Sequence, residues 1–260
     1  MTKLRVDLNC DVGESFGRYQ LGDDADIMSS VTSANIACGF HAGDPSVMRQ
    51  TVRLAARAGV AVGAHPGFPD LSGFGRRELQ ASPAEVEALV LYQIGALTAM
   101  VGAEGGRLQH VKPHGALYNM AARDRVLADA IARAAAAVSP RLVLVGLSGS
   151  CLLEAGREAG LDVASEVFAD RAYEAGGELR DRSHPDAVIG DPELVTERVL
   201  LMVREGIVRA TTGELVAVRA DTVCIHGDTP DAARMATTLR AGLERAGISV
   251  GPLRERPPDI

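Results

Sequence analysis

The 260-residue chain has no tryptophan, 3% aromatic residues, and only two lysines, Lys3 and Lys112, among 27 basic side chains. Few rings means few stacking platforms for bases or sugars, so the core is left to aliphatic residues. Neither lysine follows a glycine loop, which excludes a G-x-x-x-x-G-K-[ST] phosphate loop. Basic blocks are missing, and 34 acidic against 27 basic side chains give a net charge of −7, the reverse of a nucleic-acid-binding footprint. The four cysteines, Cys10, Cys38, Cys151 and Cys224, form no C-x-x-C. They signal neither structural zinc nor a redox dithiol, and read as packing residues kept reduced. The opening MTKLRVDLNC lacks a signal-peptide core, and no apolar run approaches the roughly 18 residues that span a bilayer. Together these absences lead us to expect a cytoplasmic protein without nucleic-acid or membrane partners.

With 47% hydrophobic and 23% charged residues, the composition suits one large core. Short aliphatic runs at Leu4–Leu8, Asn35–Ala37, Val60–Ala64, Leu108–Val111, Leu142–Val145, Val163–Val167 and Thr222–His226 alternate with amphipathic stretches and predict seven βα units. Asp44-Pro45 opens one helix and Gly59 closes it. Ser82-Pro83 opens a longer one with an apolar stripe from Val86 to Val101. Asp228-Thr229-Pro230 opens the last, which Gly247 stops. Residues 210–220 suggest a turn and an extra strand. The first strand alternates Leu4, Val6, Leu8 with Arg5, Asp7, Asn9, whereas a sheet buried between two helix layers is apolar on both faces. The expectation is therefore a seven-stranded parallel (β/α) barrel over residues 1–250 with a solvated polar lumen, its site at the C-terminal strand ends. Residues 251–260, rich in proline, are expected to be a mobile tail.

Those strand ends carry the candidate chemistry. Asp7, Asn9, Asp11 and Glu14 follow one another along the first strand, and carboxylates so placed repel unless a cation, proton or donor separates them. His41 lies between glycines after the second strand, and His65 stands at the tip of the third. The loop that follows ends in Arg76 and Arg77, guanidinium groups suited to a carboxylate or phosphate. Lys112, His114 and Tyr118 follow the fourth strand; a lysine retained in a chain that writes its cations as arginine points to a need for a compact ammonium. Pro113 rules out a helical H-x-x-x-H pair of His110 with His114. Gly146 to Ser150 misses G-x-S-x-G at its last position, which leaves an anion nest at a helix start. Glu166 and Arg171 end the sixth strand and His226 the seventh, while Asp170–Arg171 also reads as a structural turn.

The segments D-x-N-x-D-x-G-E, S-A-N-I-A-C-G-F-H-A-G-D, G-A-H-P-G-F-P-D, G-F-G-R-R, V-K-P-H-G-A-L-Y-N, E-x-F-A-D-R-x-Y and H-G-D occur in this order between residue 5 and about residue 245. Together they resemble the 5-oxoprolinase A-subunit family, once called lactam utilisation proteins. The resemblance implies a seven-stranded barrel of the glycoside hydrolase and deacetylase type. It also implies ATP- and Mg²⁺-dependent opening of 5-oxoproline to L-glutamate together with subunits B and C. Asp7, Asn9, Asp11, His41, His65, Lys112, His114, Glu166 and His226 are then candidates for the chemistry, and Glu14, Arg76, Arg77, Tyr118 and Arg171 for holding substrate. Two alternatives stand beside this: a metal-dependent deacetylase-like hydrolase with a divalent cation on Asp11, His65 and His114, and a non-catalytic scaffolding role in the same complex.

Overall fold

The computed structural model describes residues 4–226 and 231–254. In chain order the elements are β1 (Arg5–Val12), α1 (Asp24–Met28), β2 (Ser33–Ala37), α2 (Pro45–Ala58), β3 (Ala61–His65) and α3 (Pro83–Ala103). They continue with β4 (His110–Val111), α4 (Gly115–Arg123), α5 (Arg125–Val138), β5 (Val143–Leu147), α6 (Cys151–Glu158), β6 (Asp162–Phe168) and α7 (Pro192–Glu205). The last are β7 (Ile207–Arg209), β8 (Leu215–Ala217), β9 (Thr222–His226), α8 (Ala232–Arg245) and β10 (Ser249–Val250). Strands β1 to β6 and β9 pair in parallel, and β9 bonds to both β6 and β1, so seven strands close a barrel. The hairpin β7–β8 lies outside it and supplies the turn and extra strand expected near residue 215.

Caps set the helix ends. Asp44 accepts from Ser46 N and Val47 N, Ser82 and Glu85 form a capping box, and Gly59 and Gly206 end α2 and α7 in the left-handed conformation that glycine adopts without a Cβ clash. The opening of α8 expected at Asp228-Thr229-Pro230 falls outside the described residues. Helix α3 is 21 residues long and holds an 18-residue window of mean hydropathy 1.5, enough by length and composition alone to cross a bilayer, although Glu85, Glu87 and Gln93 interrupt its apolar residues. Here it is a wall helix that buries Val86, Val90, Ile94, Leu97 and Val101.

Alternation along each strand sends Val6, Leu8, Cys10 and Val12 of β1 to the apolar core shared with the helices. The opposite face does not meet the solvent expected there. Asp7, Asn9, Asn35, His110, Lys112, Glu166 and Thr222 are all buried and bond to one another, so polar side chains fill the barrel as apolar layers do elsewhere. Close packing explains Gly63 on β3: a Cβ there would stand 2.0 Å from His110 Nε2. Gly63→Ala is therefore expected to cost about 1–3 kcal/mol through overpacking, measurable as a lower denaturation midpoint.

Residues 251–254, expected within the tail, are tied to the barrel base. Arg5 Nη2 donates to Pro252 O at 2.8 Å, Gln109 Nε2 donates to Arg254 O at 3.0 Å, and Leu253 packs on Val143, Val145 and Ala164.

Candidate active site

The centre of the lumen is an ammonium ringed by acceptors. Lys112 Nζ lies 2.9 Å from Asp11 Oδ1, 2.9 Å from Glu166 Oε1, 3.2 Å from Asn9 Oδ1 and 3.0 Å from Cys224 Sγ, with the residue only 2% exposed. Burial opposes its charge, but Asp11, Cys224 and Glu166 outweigh burial and hold the amine well above its usual range. In Asp11, burial is likewise outweighed by His65 and Lys112, and the carboxyl sits well below its usual range. Asn9 Nδ2 donates to Glu166 Oε1 and to Thr222 Oγ1, Asn35 Nδ2 donates to Asn9 Oδ1 and Asp11 Oδ1, and Tyr118 Oη donates to Glu166 Oε2 at 2.7 Å. Asp11 and Glu166 thus each meet the ammonium and further donors, which offsets the repulsion between them.

Above this layer, toward the strand ends, three imidazoles converge. His65 Nδ1 lies 2.7 Å from Lys112 O, and His114 Nε2 lies 2.8 Å from Phe74 O; a carbonyl only accepts, so both nitrogens carry protons. The two remaining nitrogens, His65 Nε2 and His114 Nδ1, face each other at 2.9 Å. His41 stacks on His114 with ring centroids 3.8 Å apart, and Glu14 Oε1 stands 3.8 Å from His41 Nε2 and 3.9 Å from His114 Nδ1. The glycine-rich loops make this crowding feasible: a Cβ at Gly67 would stand 2.6 Å from His41 Nδ1, and one at Gly75 would stand 2.6 Å from His41 Cβ. Burial, with neighbouring imidazoles, holds His41 and His114 well below the usual imidazole range.

On the opposite side, His226 Nδ1 lies 2.9 and 3.0 Å from the two carboxylate oxygens of the fully buried Asp170, and its ring stacks on Phe168. Burial raises the Asp170 carboxyl, but His226, Arg182 and Arg171 together bring it below its usual range. Asp170 accepts the Nδ1 proton, leaving Nε2 as the second ring nitrogen. His226 opens onto a cavity of about 610 Å³ that is also lined by Asp11, His65, Lys112, His114, Tyr118, Arg76 and Arg171.

Asn9, Asp11, His65, Lys112, His114, Glu166 and His226 thus form one connected region, with Glu14 and His41 against its imidazole side. Asp7 reaches this region only through Thr222, which also bonds Asn9, and does not line its cavity. Asp7 lies four residues back along β1, accepts from Thr32, Ser33 and Thr222 hydroxyls, and lines a separate cavity at the barrel base. Arg77 is committed to Asp70 at 3.0 and 3.1 Å, which fixes the loop that carries Phe74, whereas Arg76 lies over the Phe74 ring and faces the cavity. Groups capable of holding a metal do occur: of the expected set, His65 Nε2 lies 3.3 Å from Asp11 Oδ2 and 2.9 Å from His114 Nδ1, and His65 and His114 also cluster with Glu14 and His41. Asp11, Cys224 and His226 also approach one another, and there the Lys112 ammonium already occupies the place of a cation. Sequence reasoning leaves out Asn35, Asp170 and Cys224. The face shared by Thr222, Cys224 and His226 signals the last, but nothing local distinguishes Asp170 from the turn residue it also is.

The LamB/YcsF family model matches residues 6–257. The 5-oxoprolinase A-subunit of Chloroflexus aggregans is 63% identical over 247 residues, covering 95% of this chain and 98% of that protein. That of Geobacillus kaustophilus is 61% identical over 251 residues, covering 96% and 98%. The crystal structure of a lactam utilization protein from Thermus thermophilus matches with a TM-score of 0.90 at 55% identity, covering 95% of this chain and 99% of that one. The likeness runs from the first barrel strand past the last and carries every segment from which the site is built, and the chain belongs to the LamB/YcsF family.

Proposed function

We propose that this chain is the hydrolytic component of an ATP-dependent 5-oxoprolinase, which opens the lactam of 5-oxoproline to L-glutamate in a cytoplasmic complex with subunits B and C. The observation that carries this reading is the lumen. A buried ammonium and an Asp-oriented histidine face one cavity, in a chain whose relatives, matched along nearly their whole length, bear the 5-oxoprolinase name.

A five-membered lactam is a resonance-stabilised amide, and water attack on it is slow until the carbonyl oxygen is activated. ATP with Mg²⁺ supplies that activation. The overall reaction consumes two waters, one at the ring carbonyl and one at the phosphate, and forms glutamate, ADP and phosphate. His226 Nε2, with its partner nitrogen held by Asp170, takes the proton of the attacking water and returns it to the leaving ring nitrogen. Lys112 offsets the negative charge of the phosphoryl group carried by the former carbonyl oxygen while water adds at the ring carbon and the C–N bond breaks, and its position is fixed by Asp11, Glu166 and Asn9. Arg171 is buried, with Nε donating to Ala187 O at 3.2 Å, and with Arg76 it presents guanidinium to the substrate carboxylate. Phosphoryl transfer needs an organised Mg²⁺–ATP site, and with no phosphate loop in this sequence that task falls to the partners.

The test follows glutamate and ADP formed by the isolated chain and by its mixture with B and C. We expect no turnover above background from the chain alone and full turnover from the mixture. Equal rates, with contaminating ATPase excluded, overturn the assignment. Substitutions in the lumen that abolish turnover while the three components still assemble distinguish a catalyst from a scaffold.

A further inference from the structure

The N-terminal end of the barrel has a cavity of its own, about 550 Å³ in volume, which shares no lining residue with the one that His226 opens onto. We propose that it binds a small organic dicarboxylate, whose carboxylates meet the guanidinium groups of Arg5, Arg157, Arg219 and Arg254 and whose carbon chain lies on the apolar part of the wall. The volume falls within the range of small-molecule sites. In a chain of net charge −7, four arginines and three aspartates line this space, a cationic spot on an acidic protein. Such a local reversal of sign draws anions.

Each carboxylate in the wall already has its donors. Asp162 is held by Arg254, whose Nη1 also donates to Arg141 O at 2.6 Å. Asp221 accepts from Ser165 N at 2.9 Å and, with its two oxygens, from Arg219 Nε at 2.9 and 3.0 Å. Asp7, 2% exposed, accepts from the hydroxyls of Thr32, Ser33 and Thr222, and burial raises its carboxyl, which disfavours a bare charge there. Guanidinium donors, by contrast, are in surplus. Arg219 engages Asp221 through Nε, and its two terminal amino groups have no hydrogen-bond partner among the described residues. Arg157, in the last turn of α6, makes neither an ion pair nor a side-chain hydrogen bond among them. Arg5 is set in place by the chain that follows β10: its Nη2 donates to Pro252 O at 2.8 Å, and a Cβ at Gly251 would stand 3.1 Å from its Nε. Asp162 and Asp221 offset two of the four guanidiniums, and the other two match a dianion. Charge alone would equally suit inorganic phosphate. Val143 and Ala164, with Leu253 packed on them, also line the cavity and favour hydrocarbon between the two charges. None of this depends on which substrate the upper cavity takes.

The full chain is titrated by calorimetry with succinate, with glutarate and, separately, with inorganic phosphate. One equivalent of each dicarboxylate is expected, and phosphate, which buries no methylene, is expected to bind at least about tenfold more weakly. Arg157→Ala and Arg219→Ala, both at exposed side chains, are each expected to weaken succinate binding by about tenfold. Arg76→Ala, at the upper cavity, is expected to leave succinate binding unchanged. Folded chain that binds neither dicarboxylate with a Kd below about 1 mM overturns the site, as does binding that Arg76→Ala abolishes and Arg157→Ala spares. Phosphate bound as tightly as succinate overturns the assignment of the apolar wall.

Discussion

Lys112→Met is expected to lose both activity and a large part of the folding stability. The ammonium lies 2.9 Å from each of two carboxylates, and removing it leaves Asp11 and Glu166 facing one another inside the barrel. Breaking a buried ion pair from one side costs about 3–5 kcal/mol, against a total of about 5–15 kcal/mol for a folded domain. In a chain of this size that corresponds to a fall in Tm of about 6–20 °C. Turnover is expected to fall by more than tenfold, a barrier increase of at least about 1.4 kcal/mol. A triple variant separates the two effects: Lys112→Met with Asp11→Asn and Glu166→Gln removes the stranded charges, so its stability recovers while its turnover does not. Lys112→Met with a wild-type denaturation midpoint would show that the lumen network contributes nothing to the fold. Recovery of turnover in the triple variant would remove Lys112 from the chemistry.

The second large effect belongs to the dyad on the other wall. His226→Ala is expected to lower kcat by about 10²–10⁴, the range that general acid–base catalysis contributes. Asp170→Asn tests how the imidazole is set. The carboxylate accepts from Nδ1 with both oxygens, whereas an amide can donate to that nitrogen and move the proton to Nε2, which then cannot act as a base. Asp170→Asn should therefore depress kcat strongly, leave KM within about threefold, and flatten the pH dependence of kcat. A variant with normal kcat and an unchanged pH profile would reduce Asp170 to a packing role.

The seven strands and their order are legible because period and caps agree: apolar runs of strand length recur between stretches with helical spacing, and Asp44, Ser82 and Gly59 punctuate them. Strand β1 is longer than the expected Leu4–Leu8 and runs to Val12, because Asn9 and Asp11 resemble loop residues until their partners Asn35 and Lys112 are in place. Alternation reveals a polar lumen but cannot show whether water or other side chains satisfy it; the structure supplies side chains. His110 and His114 do part company, His110 bonding Asn35 and His114 meeting His65. A shared strand face groups Asp7 with Asp11 in the sequence. Four residues of strand rise take Asp7 to the other end of the barrel. Asp170 is obscure because an acid next to an arginine also fits an ordinary turn, and only the approach of β9 brings His226 to it.

Closure by β9 also governs when the site comes into being. Asp7 meets Thr222 across 215 positions, Asn9 meets Thr222 across 213, and Lys112 meets Cys224 across 112. During synthesis the polar face of β1 waits for its last partners until nearly the whole chain has left the ribosome, with both borders of the incomplete sheet open to other chains. Contacts this distant in sequence form slowly and late. Completion of the barrel and assembly of the Lys112 centre are consequently one event, and the nascent chain passes through no stage at which a partly built barrel already holds the finished centre.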